Sequence, residues 1–393
     1  MAHEATSAAL AALDTSDIDR WIGVPLPRLQ LRYPTTEADI GRWVQSMHNP
    51  NPRFYDPDFF GQSELGLVAP QSFTVAAGDG HGATPAIQGA VEGTHMLFGG
   101  DEWWFYGPRI RPGDLLQRDT MLFDYKVAET RFAGPTIFSR GDTTYANQKG
   151  EFVAKQRCTA IRYVAEEARK RATYAEDTAE PTWTDEQLAS IEARQLAYYG
   201  TFRSMGHEPR HWKSVHEGDA LPDRVLGPHS VATFATEHRA RPATVWGAAY
   251  YTDGKTGMFD AGWLSDFSRD REQEALDPAK ADGLYAGASR GHASVEHARD
   301  IGMPRGYGYG SSMGGWLLDY VENWGGEGAW TVHMNASYRS PALTGDVTEL
   351  EGTVAGKRYE AETRRSLVDL TLRMRDQTGR TMATATAEVC LPE

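Results

Sequence analysis

One pattern of residues occurs twice in this chain, and the repetition limits its fold more than any other feature. Gly113-Asp114 is followed thirty-four residues after the Asp by Gln148, then by Gly150. Gly345-Asp346 is followed thirty-one residues after the Asp by Gln377, then by Gly379. A Pro-containing, strand-like run precedes each pair, residues 105–111 in the first half and residues 336–341 in the second. Each copy closes in a β-rich stretch that holds one of the two cysteines, Cys158 and Cys390. Self-similarity on this scale reads as a duplication, so two related units must share one chain.

The 393 residues suffice for two domains that each bury a core. The expected division is 1–165, a linker with a helix at 166–215, and 216–393. Residues from about 240 to 286 have no counterpart in the first half and read as an insertion. With 40% hydrophobic and 24% charged residues, the composition is that of a globular protein. A net charge of -14 argues against binding nucleic acid or an anionic membrane by bulk attraction. Two cysteines far apart suggest a reducing compartment and no disulfide framework. The apolar run at residues 8–13 lacks a basic lead and lies between Glu4 and Asp14, unlike a signal peptide. No stretch reaches the ~20 apolar residues of a membrane helix. A cytoplasmic location is the expectation.

Residues 1 to about 30 read as a short helix and a lead-in. Near Tyr33-Pro34-Thr35-Thr36 a helix begins, with Thr as cap and acidic Glu37 and Asp39 in its first turn, and runs through Ile40, Trp43 and Val44. From Asp101 to Tyr163 strands alternate with Gly, Pro and Asp turns. Thr184 with Gln187 forms a capping-box pattern, and Val225-Leu226-Gly227-Pro228-His229-Ser230 restarts the pattern of Tyr33-Pro34. The clearest helix carries Met313, Trp316, Leu317, Tyr320, Val321 and Trp324 at helical spacing and ends at Gly325-Gly326. Val368, Leu370, Leu372 and Met374 alternate with polar residues as a half-wet strand does. The expected class is α+β: two antiparallel sheets, each wrapped around a long central helix.

On these residues the chain resembles the MaoC-type family of (R)-specific enoyl-CoA hydratases and dehydratases, in particular its double hotdog members with an N-terminal fatty-acid-synthase-type dehydratase domain. That family carries a loop Asp-x-Asn-Pro-(Ile/Leu)-His-x-Asp-Pro before its central helix. The first half offers Asn49-Pro50-Asn51-Pro52-Arg53-Phe54-Tyr55-Asp56-Pro57-Asp58, with Phe54 at the His position and Asn49 at the Asp position. The second half keeps His292, Glu296, Ala298 and Gly302, but has Gly287 at the Asp position. Each copy has thus lost a different part of one site.

Hydration of an enoyl thioester needs a base for the water and donors aimed at the thioester oxygen. The resemblance assigns the first task to His and Asp, and the second to the start of the central helix. His292 is the candidate base. Asp282 is the nearest upstream acid, with Asp260, Asp266 and Asp270 as alternatives. Gly310, Ser311 and Tyr309 are the candidate oxyanion and substrate-binding residues. His292, Glu296 and His297 match no zinc pattern, and Gly306-Tyr307-Gly308-Tyr309-Gly310 lacks the features of a phosphate loop. No metal and no cofactor are expected, CoA entering as part of the substrate. Arg290, Arg305, Lys357 and Arg358 are candidate contacts for its phosphates. The implied function is a hydratase or dehydratase acting on an acyl thioester, with one site per chain. Two other readings are a non-catalytic acyl-CoA-binding or partner subunit, and a thioesterase-like hotdog enzyme. The expected partners are a second copy of the chain, or another hotdog protein.

Overall fold

The computed structural model describes residues 13–77, 82–173, 178–242, 249–252, 290–292 and 294–393. A short helix α1 (Ser16–Asp19) and strand β1 (Leu29–Leu31) lead into α2 (Glu37–Ser46). Thr36 caps α2 through a capping box with Asp39, which satisfies two otherwise orphaned N–H groups. A 3₁₀ turn, Pro52–Phe54, precedes α3 (Pro57–Phe60), and α4 (Phe73–Ala76) follows. Strands β2 (Thr94–Phe105), β3 (Gln117–Thr130), β4 (Gly134–Ala146) and β5 (Phe152–Val164) complete the first half.

Helix α5 (Ala165–Arg171) and the long α6 (Asp185–Met205) connect the halves, and Thr184 with Gln187 makes the capping box of α6. The second half comprises β6 (Arg224–Leu226), α7 (Val231–Arg239), β7 (Ala249–Tyr251), α8 (Val295–Asp300), the central helix α9 (Gly310–Gly325), and β8 (Trp330–Tyr338), β9 (Thr348–Glu360), β10 (Arg365–Asp376) and β11 (Thr381–Cys390).

The α+β expectation holds, with two differences. The expected pair of sheets is one antiparallel sheet of eleven strands, in the order β6-β9-β10-β11-β8-β2-β5-β4-β3-β1-β7. Strands β2 and β8 join the halves from Gly100↔Ser337 to Trp104↔His333. This pairing satisfies backbone groups that two separate sheets would leave open. The second difference is in the first half, whose described helical pieces near the sheet are only α4 and the 3₁₀ turn Thr84–Ile87. Gly82 has a positive φ, and Pro85 lies in the first turn of the 3₁₀ segment, where its missing N–H is tolerated. The one long central helix, α9, therefore serves both halves, packing on α4, β2, β8 and β11.

The repeated sequence pattern is a repeated clamp. Gln148 Oε1 accepts the N–H of Leu115 at 2.9 Å, while its Nε2 donates to Asp114 at 3.3 Å. Gln377 does the same to Val347 (2.9 Å) and Asp346 (2.7 Å). The clamp ties the turn at the foot of one strand to the hairpin two strands on, and its residues serve architecture in both copies.

Candidate active site

The loop carrying His292 is built on the same frame as its first-half counterpart. His292 ends the 3₁₀ turn Arg290–His292, and two residues on Ser294 caps α8. Phe54 ends the turn Pro52–Phe54, and two residues on Asp56 caps α3. The structure thus matches His292 to Phe54, position for position. The His292 ring is packed between Tyr307 and Tyr309, with centroids 4.4 and 4.0 Å away. Its Nδ1 lies 2.6 Å from the Tyr307 carbonyl oxygen. A carbonyl can only accept, so Nδ1 carries a proton, and in the neutral form of the ring Nε2 is the basic nitrogen.

His292 lines a cavity of about 340 Å³ beside the start of α9, together with Tyr309, Gly310 and Ser311. The opposite wall comes from the first half: residues 94–98 of β2, with Phe138 and Ile161. The N-cap Tyr309 makes no side-chain cap bond. The N–H groups of Gly310 and Ser311 have no acceptor within the helix, and the dipole favours negative charge there. A Cβ on Gly310 would stand 2.5 Å from that of Phe98, so only glycine lets the helix start this close to β2.

Behind the cavity lies a buried acid that the sequence did not reveal. Tyr338, a lining residue, donates its hydroxyl to Asp101 at 3.0 Å. A Cβ on Gly314 would sit 2.5 Å from Asp101 Oδ2, so this glycine makes room for the pair against α9. Burial raises the Asp101 carboxyl to about 7, against the pull of hydrogen bonds from Tyr338, Trp103 and Gln156. Two residues of α7 and its C-terminal extension brace the first turn of α9. Arg241 donates to the Ser311 hydroxyl at 2.8 Å. Glu237 faces Ser312, and burial lifts it to about 8.

These shifts set a sign for stability. A carboxyl raised above its unfolded value of about 4 retains its proton in the fold while the open chain gives it up. The contribution of Asp101 is therefore full below about pH 4 and is lost as pH rises through about 7. Asp101→Asn is expected to gain stability relative to the parent between pH 5 and 7, by up to about 1.4 kcal/mol per pH unit. Urea midpoints across that range measure this; parallel curves for the two proteins would refute it.

The corresponding place in the first half is filled from within. The N–H of Gln71, before α4, donates to Glu322 Oε2 of α9 at 2.7 Å. Glu322 Oε1 takes Arg53 Nη2 at 2.9 Å and Arg109 Nη1 at 3.1 Å. Ser72 donates to Asp319, and Asn51 Nδ2 to Asn323 Oδ1 at 2.9 Å. A carboxylate already occupies the donors where an oxyanion would sit, and Phe54 offers no base.

Of the residues singled out in the sequence, His292, Tyr309, Gly310 and Ser311 come together around one cavity. Asp282, Asp260, Asp266 and Asp270 lie outside the described residues, as does the Arg290 side chain. Three candidate phosphate contacts are corrected. Arg305 is buried on Asp346. Lys357 donates to the carbonyls of Trp212 and Val215. Arg358 pairs with Asp369 and Glu388. Among the described residues no group of three His, Cys, Asp or Glu is placed to hold a metal, and no helix is long and apolar enough to cross a membrane.

Residues 20–156 match the family model of the FAS1-like dehydratase domain region. No curated protein matches the chain. Among solved structures, a MaoC-like dehydratase superimposes with a TM-score of 0.60 at 15% identity, over 96% of this chain and 100% of the other. A MaoC domain dehydratase from Chloroflexus aurantiacus J-10-fl gives 0.53 at 12%, over 93% and 95%. A Mycobacterium tuberculosis protein described as having a double hotdog fold gives 0.50 at 11%, over 93% and 96%. At these identities the likeness is one of fold.

Proposed function

We propose that this chain is a MaoC-type dehydratase that adds or removes water at the 2,3 position of an acyl thioester, with CoA as the carrier and one site per chain, a reading supported by the FAS1-like dehydratase region at residues 20–156 and by the fold it shares with MaoC-like dehydratases. The observation that carries this reading is His292, its proton fixed on Nδ1, sharing a mostly apolar cavity with the uncapped start of α9.

In hydration, His292 Nε2 takes a proton from water as the water oxygen bonds to C3. The C2–C3 π electrons move toward the carbonyl, and negative charge grows on the thioester oxygen. The first-turn N–H groups at Gly310 and Ser311 meet that charge, an arrangement commonly worth a few kcal/mol (about 3) in a water-poor site. The protonated His292 then returns that proton to C2, restoring the neutral ring, and dehydration is the reverse. The apolar wall from β2 and the start of α9 suits an acyl chain.

Tyr338 backed by Asp101 supplies the polar group that the altered motif lacks. While Asp101 is ionised, the Tyr338 O–H is committed to it. Once Asp101 is protonated, its own O–H can serve Tyr338, and the phenol proton can turn to the cavity. In this reading kcat has a limb near pH 7, which Asp101→Asn and Tyr338→Phe both remove; an unaltered profile in both variants would eliminate the role.

The primary assay follows the conjugated-enoyl absorbance of short, branched and cyclic trans-2-enoyl-CoAs together with free thiol. Loss of absorbance without thiol release is the expected result. Thiol release would make the protein a thioesterase. Binding without turnover would make it a non-catalytic subunit.

A further inference from the structure

A second cavity, of about 610 Å³, lies between α2, α6 and β6, next to the first-half loop that has lost its catalytic residues. Arg224 brings a fixed positive charge to its wall, and the buried Asp319 behind it is near enough to interact with that charge. Arg224 forms part of the wall and is 1% exposed, yet its bonds go to neutral carbonyls: Trp316 at 2.9 Å, Met47 at 2.8 Å and His48 at 3.1 Å. Its Nε has no partner among the described residues. Two further donors in the same wall are buried without a well-formed hydrogen bond, Asn49 Nδ2 and Tyr198 Oη. Asp319 and Asn323 lie close enough to influence them, but no bond of good geometry closes. No Asp or Glu lines the cavity among the described residues.

A desolvated guanidinium with spare donors around it favours an acceptor that is itself anionic. The rest of the wall is mixed, with Val44, Val225 and Leu226 offering apolar surface. Gly41 adds a second line of argument. It sits inside α2 and lines the cavity, and nothing stands within 4 Å of a Cβ built on it. Glycine there costs helix propensity, and no packing contact calls for it. Its effect is to keep the cavity open.

We propose that this cavity binds a small organic carboxylate with a short apolar body, its carboxyl group meeting Arg224, Tyr198 and Asn49. This binding site lies beside the vestigial first-half loop and is separate from the His292 cavity.

Calorimetric titration of the full chain with butyrate, hexanoate and octanoate, and with the corresponding amides, tests this without measuring turnover, so it stands or falls apart from the hydratase reading. The carboxylates are expected to bind at least about 10-fold more tightly than the amides, with the difference intact in His292→Ala. Gly41→Leu fills open space on a helix, so it is expected to fold normally and to abolish binding. Tyr198→Phe is expected to weaken binding while the amide affinities stay unchanged. The absence of carboxylate binding, equal binding of the amides, or undiminished binding by Gly41→Leu would each overturn the proposal.

Discussion

His292→Gln is expected to lower kcat/KM for the proposed enoyl-CoA hydration by about 10²–10⁴-fold, the range for removal of a positioned general base. In the proposed mechanism the loss is expected to fall on kcat, because the ring would act on the water while the apolar wall would hold the acyl chain. Glutamine is chosen because it fills similar space and can still donate to the Tyr307 carbonyl, which His292 Nδ1 now does at 2.6 Å. The melting temperature should therefore move little. The competing account makes His292 a structural residue that satisfies that carbonyl and packs on two tyrosines. It predicts the reverse pattern, with stability lowered and turnover retained. Steady-state kinetics and thermal melts on one preparation separate the two.

The sequence disclosed what is encoded locally. Capping boxes at Thr36 and Thr184 start helices where the spacing placed them, and the apolar series from Met313 to Trp324 is a buried helix. His292, Tyr309, Gly310 and Ser311 lie within twenty residues of one another, on a loop and the helix start that follows it, so a family frame could group them. Asp101 and Tyr338 could not be found this way. They meet only because β2 pairs with β8, a contact across 237 positions that no local periodicity announces. The polar residues of α9 were obscured for a related reason. Asp319, Glu322 and Asn323 follow a spacing that reads as the wet side of a helix, yet the first-half loop covers them and α9 is buried on every side. The Gly-Asp…Gln pattern was the most visible signal, and it proved to be a clamp for hairpins. Repetition reveals a shared scaffold more readily than a shared chemistry.

Glu322→Met is expected to cost about 3–5 kcal/mol of stability, the range for removing one member of a buried ion pair. The carboxylate holds Arg53 and Arg109 and caps the Gln71 N–H, so its loss strands two cations and a donor around a site without water access to spare. Among the described residues Arg53 Nε and Nη1 already have no hydrogen-bond partner. The double variant Arg53→Met/Glu322→Met should recover much of the loss, since apolar side chains of similar size often replace a buried pair at little cost. Arg109 is less deeply buried and can turn toward solvent. Chemical denaturation of the parent, single and double variants yields the coupling between the two residues. Near-additive losses would mean that Glu322 acts mainly through α4, with the ion pair incidental. Neither variant should gain a second catalytic site. Releasing the donors at Gln71 restores an anion-attracting helix start, but Phe54 stands where the base would have to be. Turnover per chain should therefore stay at the level set by His292, even in a protein whose first-half site has been emptied.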